Sequence, residues 1–218
     1  SQNFKEKFIV HITTNGTLVH NEVQEWLLDN KEKIVLKLSL DGTPEAHNIN
    51  RNNSFDKIDL SFFIHTWPNE GVKMTISPHS LHLMADSIIY LHSIGFLNIQ
   101  ADLADITTWN KDSDTIKLSN QFDTLNTFYL NNPDVKLCSL YNIPFEKFLD
   151  NSPKKYAKAC TTGCKIAIDI QGNRYPCHVF FPSESNTPKL SEFLNCDFEK
   201  ESTFVSSECI NCEIKCLC

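Results

Sequence analysis

No stretch of this chain approaches the roughly 18 consecutive apolar residues that cross a bilayer as a helix. No signal-peptide pattern stands at its start, and nothing in it is low-complexity. An excess of positive charge is also missing: the net charge is −7, which removes any electrostatic case for nucleic acid or an anionic membrane surface as partner. No repeat occurs beyond an alternation of strand-like and helix-like segments. What remains is a globular composition, 41% hydrophobic and 22% charged over 218 residues, sufficient for one good core or a domain and a half. The cytoplasm is the expected compartment, and reduced thiols suit it.

Two periods alternate along the first hundred residues. Residues 8–13 and 34–40 are short, β-branched and apolar, closed by Asn15-Gly16 and Asp41-Gly42, and so read as strands ending in turns. Between them Val23, Trp26 and Leu27 recur at helical spacing over 19–30. The pattern continues with a helix over 55–65 that places Phe55, Ile58, Phe62 and Phe63 on one face, a strand over 72–76, a helix over 81–94 and a strand over 96–101. Strand, helix, strand in succession is the signature of parallel βα units. Amphipathic helices follow over 118–130 and 144–159, and residues 167–176 read as a hairpin around Gln171-Gly172-Asn173. A boundary near residue 137 separates an α/β part, 1–137, from a cysteine-rich part, 138–218.

In parallel α/β folds the chemistry sits on loops at the carboxyl ends of the strands. Here those ends are polar or turn-rich, with Asn15-Gly16, Ser39-Leu40-Asp41-Gly42, Ser77-Pro78 and Asp102 to Asp105. Taken singly, the two glycine turns read as plain strand-ending turns, and Asp102 and Asp105 as solvated loop acids.

Seven of the nine cysteines, Cys160, Cys164, Cys177, Cys209, Cys212, Cys216 and Cys218, fall at short recurring spacings in the last third. Ligands two or three residues apart converge on one metal across a tight turn. Three chemistries compete for them. A structural zinc takes four ligands as two close pairs, which Cys164 with Cys177 and Cys209 with Cys212 would supply, but seven thiols are too many for one such site. Iron–sulfur clusters take four thiolates each, and seven overshoots one cluster and comes close to two. Disulfides suit a secreted chain, and nine cysteines cannot all pair.

The order of these features resembles a known family. Gly172-Asn173-Arg174-Tyr175-Pro176-Cys177, preceded by a cysteine and a strand and followed by a Cys-x-x-Cys cluster, looks like the SPASM domain appended to radical S-adenosylmethionine (radical SAM) enzymes. Upstream, Ile12-Thr-Thr-Asn-Gly16 resembles the end of that family's third barrel strand. Leu38-Ser-Leu-Asp-Gly-Thr-Pro-Glu-Ala-His47, with Arg51 after it, resembles the fourth, and Ser54-Phe-Asp-Lys-Ile58 the start of the next helix. The resemblance implies a partial parallel βα barrel carrying strands like the third to sixth, then a SPASM-like domain. It further implies S-adenosylmethionine as cofactor, with Ser39, Arg51 and Asn15 as its binding candidates, and one or two auxiliary [4Fe-4S] clusters. Cys160, Cys164, Cys177 and Cys218 would hold one cluster, and Cys209, Cys212 and Cys216 three corners of a second. Cys138 and Cys196 match nothing in the pattern and are expected to be ordinary apolar positions.

Three departures shape the functional expectation. The family's Cys-x-x-x-Cys-x-x-Cys and its glycine-rich methionine-binding segment are not in the sequence, so the chain as given is expected to be the carboxyl-terminal part of a longer enzyme. The distal cysteine run is shorter than the family's. Where the anaerobic sulfatase maturases carry an aspartate after the Tyr-Pro-Cys cysteine, this chain has His178, a candidate proton acceptor near neutrality. The resemblance thus implies a maturase that oxidises or crosslinks side chains of a peptide or protein, fed by a flavodoxin- or ferredoxin-type electron donor. The other expectation is a catalytically inactive, cluster-binding relative that recognises a peptide or partner.

Overall fold

A computed structural model describes residues 9–104, 107–143, 166–177 and 180–181. The chain divides into two compact units, residues 1–142 and 143–218. The first unit is a four-stranded parallel sheet in the order β1 (Val10–Thr14), β2 (Ile34–Ser39), β3 (Val72–Ile76), β4 (Ile99–Leu103). The connecting helices are α1 (Glu22–Asp29), α2 (Pro44–Asn50), α3 (Leu60–Thr66) and α4 (Met84–Ser93), and α5 (Lys111–Asn131) follows the last strand. Strand order that never reverses means every crossover runs the same way and lays its helices on one face, as in a βα barrel and unlike a doubly wound sheet.

Burial separates the two faces. Leu36, Leu38 and Leu40, with Val72, Met74 and Ile76 and with Ile99 and Ala101, join Leu27, Phe63, Met84, Ile88, Leu91 and Leu125 in one core. Fully burying each large aliphatic side chain of this set contributes about 1.5–3 kcal/mol. The intervening positions Lys37, Ser39, Lys73, Thr75, Gln100 and Asp102 lie on the opposite, more open face.

The parallel α/β reading of the sequence holds, and the differences have local causes. The expected helix over 55–65 is a 3-10 turn at Phe55–Lys57, an extended Ile58, and α3. Asp59 breaks it by accepting from the Phe62 N–H at 3.2 Å as the N-cap of a new helix. The four apolar residues still reach the core. Strand β4 starts at Ile99 rather than 96 because Phe96 belongs to the end of α4, its N–H bonded to the Leu91 carbonyl at 3.1 Å in a Schellman-type closure. Helix α5 begins seven residues before the expected 118, at Lys111, capped by Asn110, which accepts from Ser113 N–H at 3.0 Å. The free edge of β4 is closed by a side chain: the Ser139 hydroxyl accepts from Ala101 N–H at 2.8 Å and donates to Ala101 C=O at 2.9 Å.

Of the second unit the described part is the hairpin that the sequence leads one to expect, β5 (Ala167–Ile168) against β6 (Arg174–Tyr175), antiparallel. Asp169 organises its turn, accepting from Gln171 N–H at 2.9 Å, Asn173 N–H at 2.8 Å and Tyr175 O–H at 3.1 Å. The expected helix over 144–159 lies outside the described residues.

Candidate functional site at the strand ends

The carboxyl end of β2 leads straight into a buried carboxylate. Asp41, two residues past the end of the strand, is 1% exposed. It accepts from Arg51 Nε at 2.7 Å and Arg51 Nη2 at 2.9 Å, and from the Thr75 N–H of β3 at 2.9 Å. A buried carboxylate is tolerable when it is both ion-paired and hydrogen-bonded, as here. Its own N–H donates to His47 Nδ1 at 3.3 Å. Since a backbone N–H can only donate, the imidazole proton sits on Nε2, which donates to Ser54 Oγ at 3.1 Å. Burial pushes the His47 pKa down, opposed by the Asp41 charge and assisted by that of Arg51. A neutral, fixed imidazole results.

Helix α2 delivers these partners. Thr43 caps it, accepting from Ala46 N–H at 3.3 Å, and Pro44 supplies a preset φ in the first turn. Asn50 fastens its far end over β3, donating to Thr75 C=O at 2.9 Å and accepting from Ser77 Oγ at 2.7 Å. The loop can pass this close to α4 only as glycine: a Cβ on Gly42, φ +104°, would lie 2.0 Å from Ser87 Cβ.

Ser39 ends β2 on the open face, in register with Lys73 of β3, and among the described residues its hydroxyl has no hydrogen-bond partner. Around it, Lys37 Nζ donates to Gln100 Oε1 at 3.1 Å, and Lys73 Nζ stands 3.9 Å from Asp102 Oδ2. Asp102 is thus solvated as expected, but it belongs to strand β4 rather than to a loop. A cavity of about 450 Å³ runs along this face beside β4, lined by Lys37, Gln100, Asp102, Lys136 and Tyr141 among others.

The sequence candidates divide as follows. Ser39 and Arg51 both belong to the β2 end, Ser39 on the open face and Arg51 turned to Asp41 with its side chain 26% exposed. Asn15 caps the loop after β1, accepting from Thr17 N–H at 3.2 Å. Cys177 is half-buried, two residues past β6. His178 and the cysteines at 160, 164, 209, 212, 216 and 218 lie outside the described residues, as do Cys196 and Asp105. Among the described residues no three ligating side chains gather as a metal site. Cys138, expected to be apolar, is 1% exposed within the core of the first unit. Sequence reasoning missed Asp41, His47 and Asn50; the Thr43-Pro44-Glu45 helix start was the signal that could have found the last two.

No protein-family model matches the chain, and neither does any curated protein. Solved structures do. Native anSMEcpe with bound AdoMet superposes with a TM-score of 0.68 at 19% identity, covering 96% of this chain and 64% of that one. Native anSMEcpe with bound AdoMet and Cp18Cys peptide gives 0.67 at 21% identity, again over 96% and 64%. The chain therefore spans less than two thirds of the length of these structures. These structures are of the anaerobic sulfatase-maturating enzyme, a radical SAM/SPASM protein, and the described four-stranded parallel α/β part of this chain is consistent with part of their fold.

Proposed function

We propose that this chain is part of a radical SAM maturase that oxidises or crosslinks side chains of a peptide or protein. The observation that carries the reading is Ser39: a hydroxyl with no hydrogen-bond partner among the described residues, at the carboxyl end of a parallel strand, in a fold shared with an enzyme solved with AdoMet and with peptide. The donor set suits the cofactor. A hydroxyl can both donate and accept toward a sugar or carboxylate. Arg51, with two of its five N–H groups on Asp41, keeps three for an anion. Asn15 stands at the neighbouring strand end. Thiolates in the number found here suit iron–sulfur clusters, with Cys177 following the β5–β6 hairpin and six further candidate ligands, Cys160, Cys164, Cys209, Cys212, Cys216 and Cys218, in the sequence. When bound, S-adenosylmethionine and a reducing cluster supply a radical that takes hydrogen from the substrate side chain. The roles assigned to the protein are to bind and orient: Ser39, Arg51 and Asn15 on the cofactor, His178 as proton acceptor, and an electron donor of flavodoxin or ferredoxin type as partner.

One observation favours a second reading. The Arg51 fork is committed to a buried carboxylate, so the strand-end cluster holds together without ligand, as it would in an inactive relative that keeps the scaffold for recognition. The full gene product, reconstituted with iron and sulfide without oxygen and given S-adenosylmethionine and dithionite, decides between them. Formation of 5′-deoxyadenosine supports the maturase, and a mass change in an added peptide fixes its substrate. Clusters without cofactor cleavage support the inactive relative.

A further inference from the structure

Lys73 stands out on the open face because its charge is poorly answered. It is the register partner of Ser39 across the β2–β3 ladder, so the two backbones are about 5 Å apart and their side chains share one face. Its ammonium leans toward the carboxyl ends of the strands, to a point 3.9 Å from Asp102 Oδ2. That separation is beyond hydrogen-bonding range, and the two side chains are 42% and 51% exposed, so the pair contributes little. Asp102 is meanwhile turned to Gln100, whose Nε2 donates to it at 3.3 Å. Among the described residues none of the three N–H donors of Lys73 has an acceptor. Lys37, on the same face, gives one N–H to Gln100, and Arg51 gives two to Asp41. Beside the Ser39 hydroxyl, which has no hydrogen-bond partner among the described residues, Lys73 is thus a cation that keeps all three of its N–H donors available.

We propose that Lys73 binds the carboxylate of the ligand that Ser39 receives, so that the hydroxyl and the ammonium together orient it. The proposal rests on the reading of Ser39 as a cofactor contact and adds a residue to it. A carboxylate placed between the two would accept one neutral and one charge-assisted hydrogen bond, while Asp102 keeps its bond to Gln100.

The test is an NMR titration of the 218-residue chain with S-adenosylmethionine and with its decarboxylated analogue, following the amides of Ser39, Lys73 and Gln100. Weak binding is within reach of this method. Wild type is expected to bind the carboxylated ligand roughly tenfold more tightly than the analogue. Lys73→Met should erase that difference and Lys73→Arg should keep it, with unchanged spectra elsewhere confirming that both variants fold. A Lys73→Met chain that discriminates as wild type does overturns the role of Lys73 and leaves the cofactor reading standing. Equal binding of both ligands by wild type does the same. No perturbation near Ser39 by either ligand overturns the cofactor reading and the proposal with it.

Discussion

Arg51 lays two parallel hydrogen bonds, 2.7 and 2.9 Å, on a carboxylate that is 1% exposed, Asp41. Neither residue is near the other in an extended chain, and α2 exists between them to bring the guanidinium back over the strand end. The charge on Asp41 is tolerable only while that fork is in place.

Removing the fork should therefore unfold the strand-end bowl before it affects any ligand. Arg51→Met is expected to cost about 3–5 kcal/mol in urea unfolding, because it leaves a buried carboxylate with the Thr75 N–H as its main remaining partner. Arg51→Lys should recover part of that, since a point charge cannot reproduce the two-pronged geometry. A loss below about 0.5 kcal/mol for Arg51→Met would show that Asp41 is not held by this pair.

Stability should fall on mild acidification. His47 and His92 both have pKa values pushed down by burial, His92 despite its bond to the Phe96 carbonyl. The unfolded chain then takes up protons first, so their contribution is fully present above the unfolded value of about 6.5 and is lost progressively as pH falls from there through the lowered folded values. Each histidine adds a slope of up to about 1.4 kcal/mol per pH unit in that window. Urea midpoints at pH 7.5 and 5.5 measure it. In His92→Gln the drop should be smaller, and a midpoint independent of pH would contradict the burial assigned to both rings.

Much of this fold was legible in the sequence, and the parts that were not share a cause. Strands β1 to β3 were readable because each is a short segment rich in β-branched and apolar residues, such as Ile34-Val-Leu-Lys-Leu-Ser-Leu40, with turn residues at its end. Helix α2 was not, because Pro44-Glu-Ala-His-Asn-Ile-Asn50 buries only Ala46 and His47, too little for an apolar period to register. The first half of α5 is polar for the same reason. Phe55 to Phe63 did carry a helical period, and it marked burial correctly while concealing the Asp59 cap that divides the segment. Asp41 read as half of a strand-ending turn. Its burial depends on Arg51 and Thr75, ten and thirty-four residues away, which no local pattern contains.

The edge of the sheet offers a third test. Ser139 satisfies both backbone groups of Ala101, so Ser139→Ala leaves a buried strand with an open N–H and C=O. The expected cost is about 1–3 kcal/mol, with faster amide exchange at Ala101. Unchanged exchange there would mean that water replaces the hydroxyl without loss.

The last test separates two cysteines that composition cannot. Cys138 lies at 1% exposure in the core, and burial pushes its thiol pKa up, which disfavours the thiolate that a metal requires. Cys177 is half-buried and follows the β5–β6 hairpin, within the part of the sequence where the other candidate thiols cluster. Oxygen-free reconstitution of the 218-residue chain should give a brown protein with about four irons per cluster. Cys177→Ser should lower the iron content by about one cluster, whereas Cys138→Ser should leave it unchanged while lowering stability. Elemental analysis returning one zinc and no iron would replace the cluster assignment with a structural zinc site. Equal loss of iron in both variants would indicate a folding defect rather than ligation, and far-ultraviolet circular dichroism on the same samples distinguishes the two.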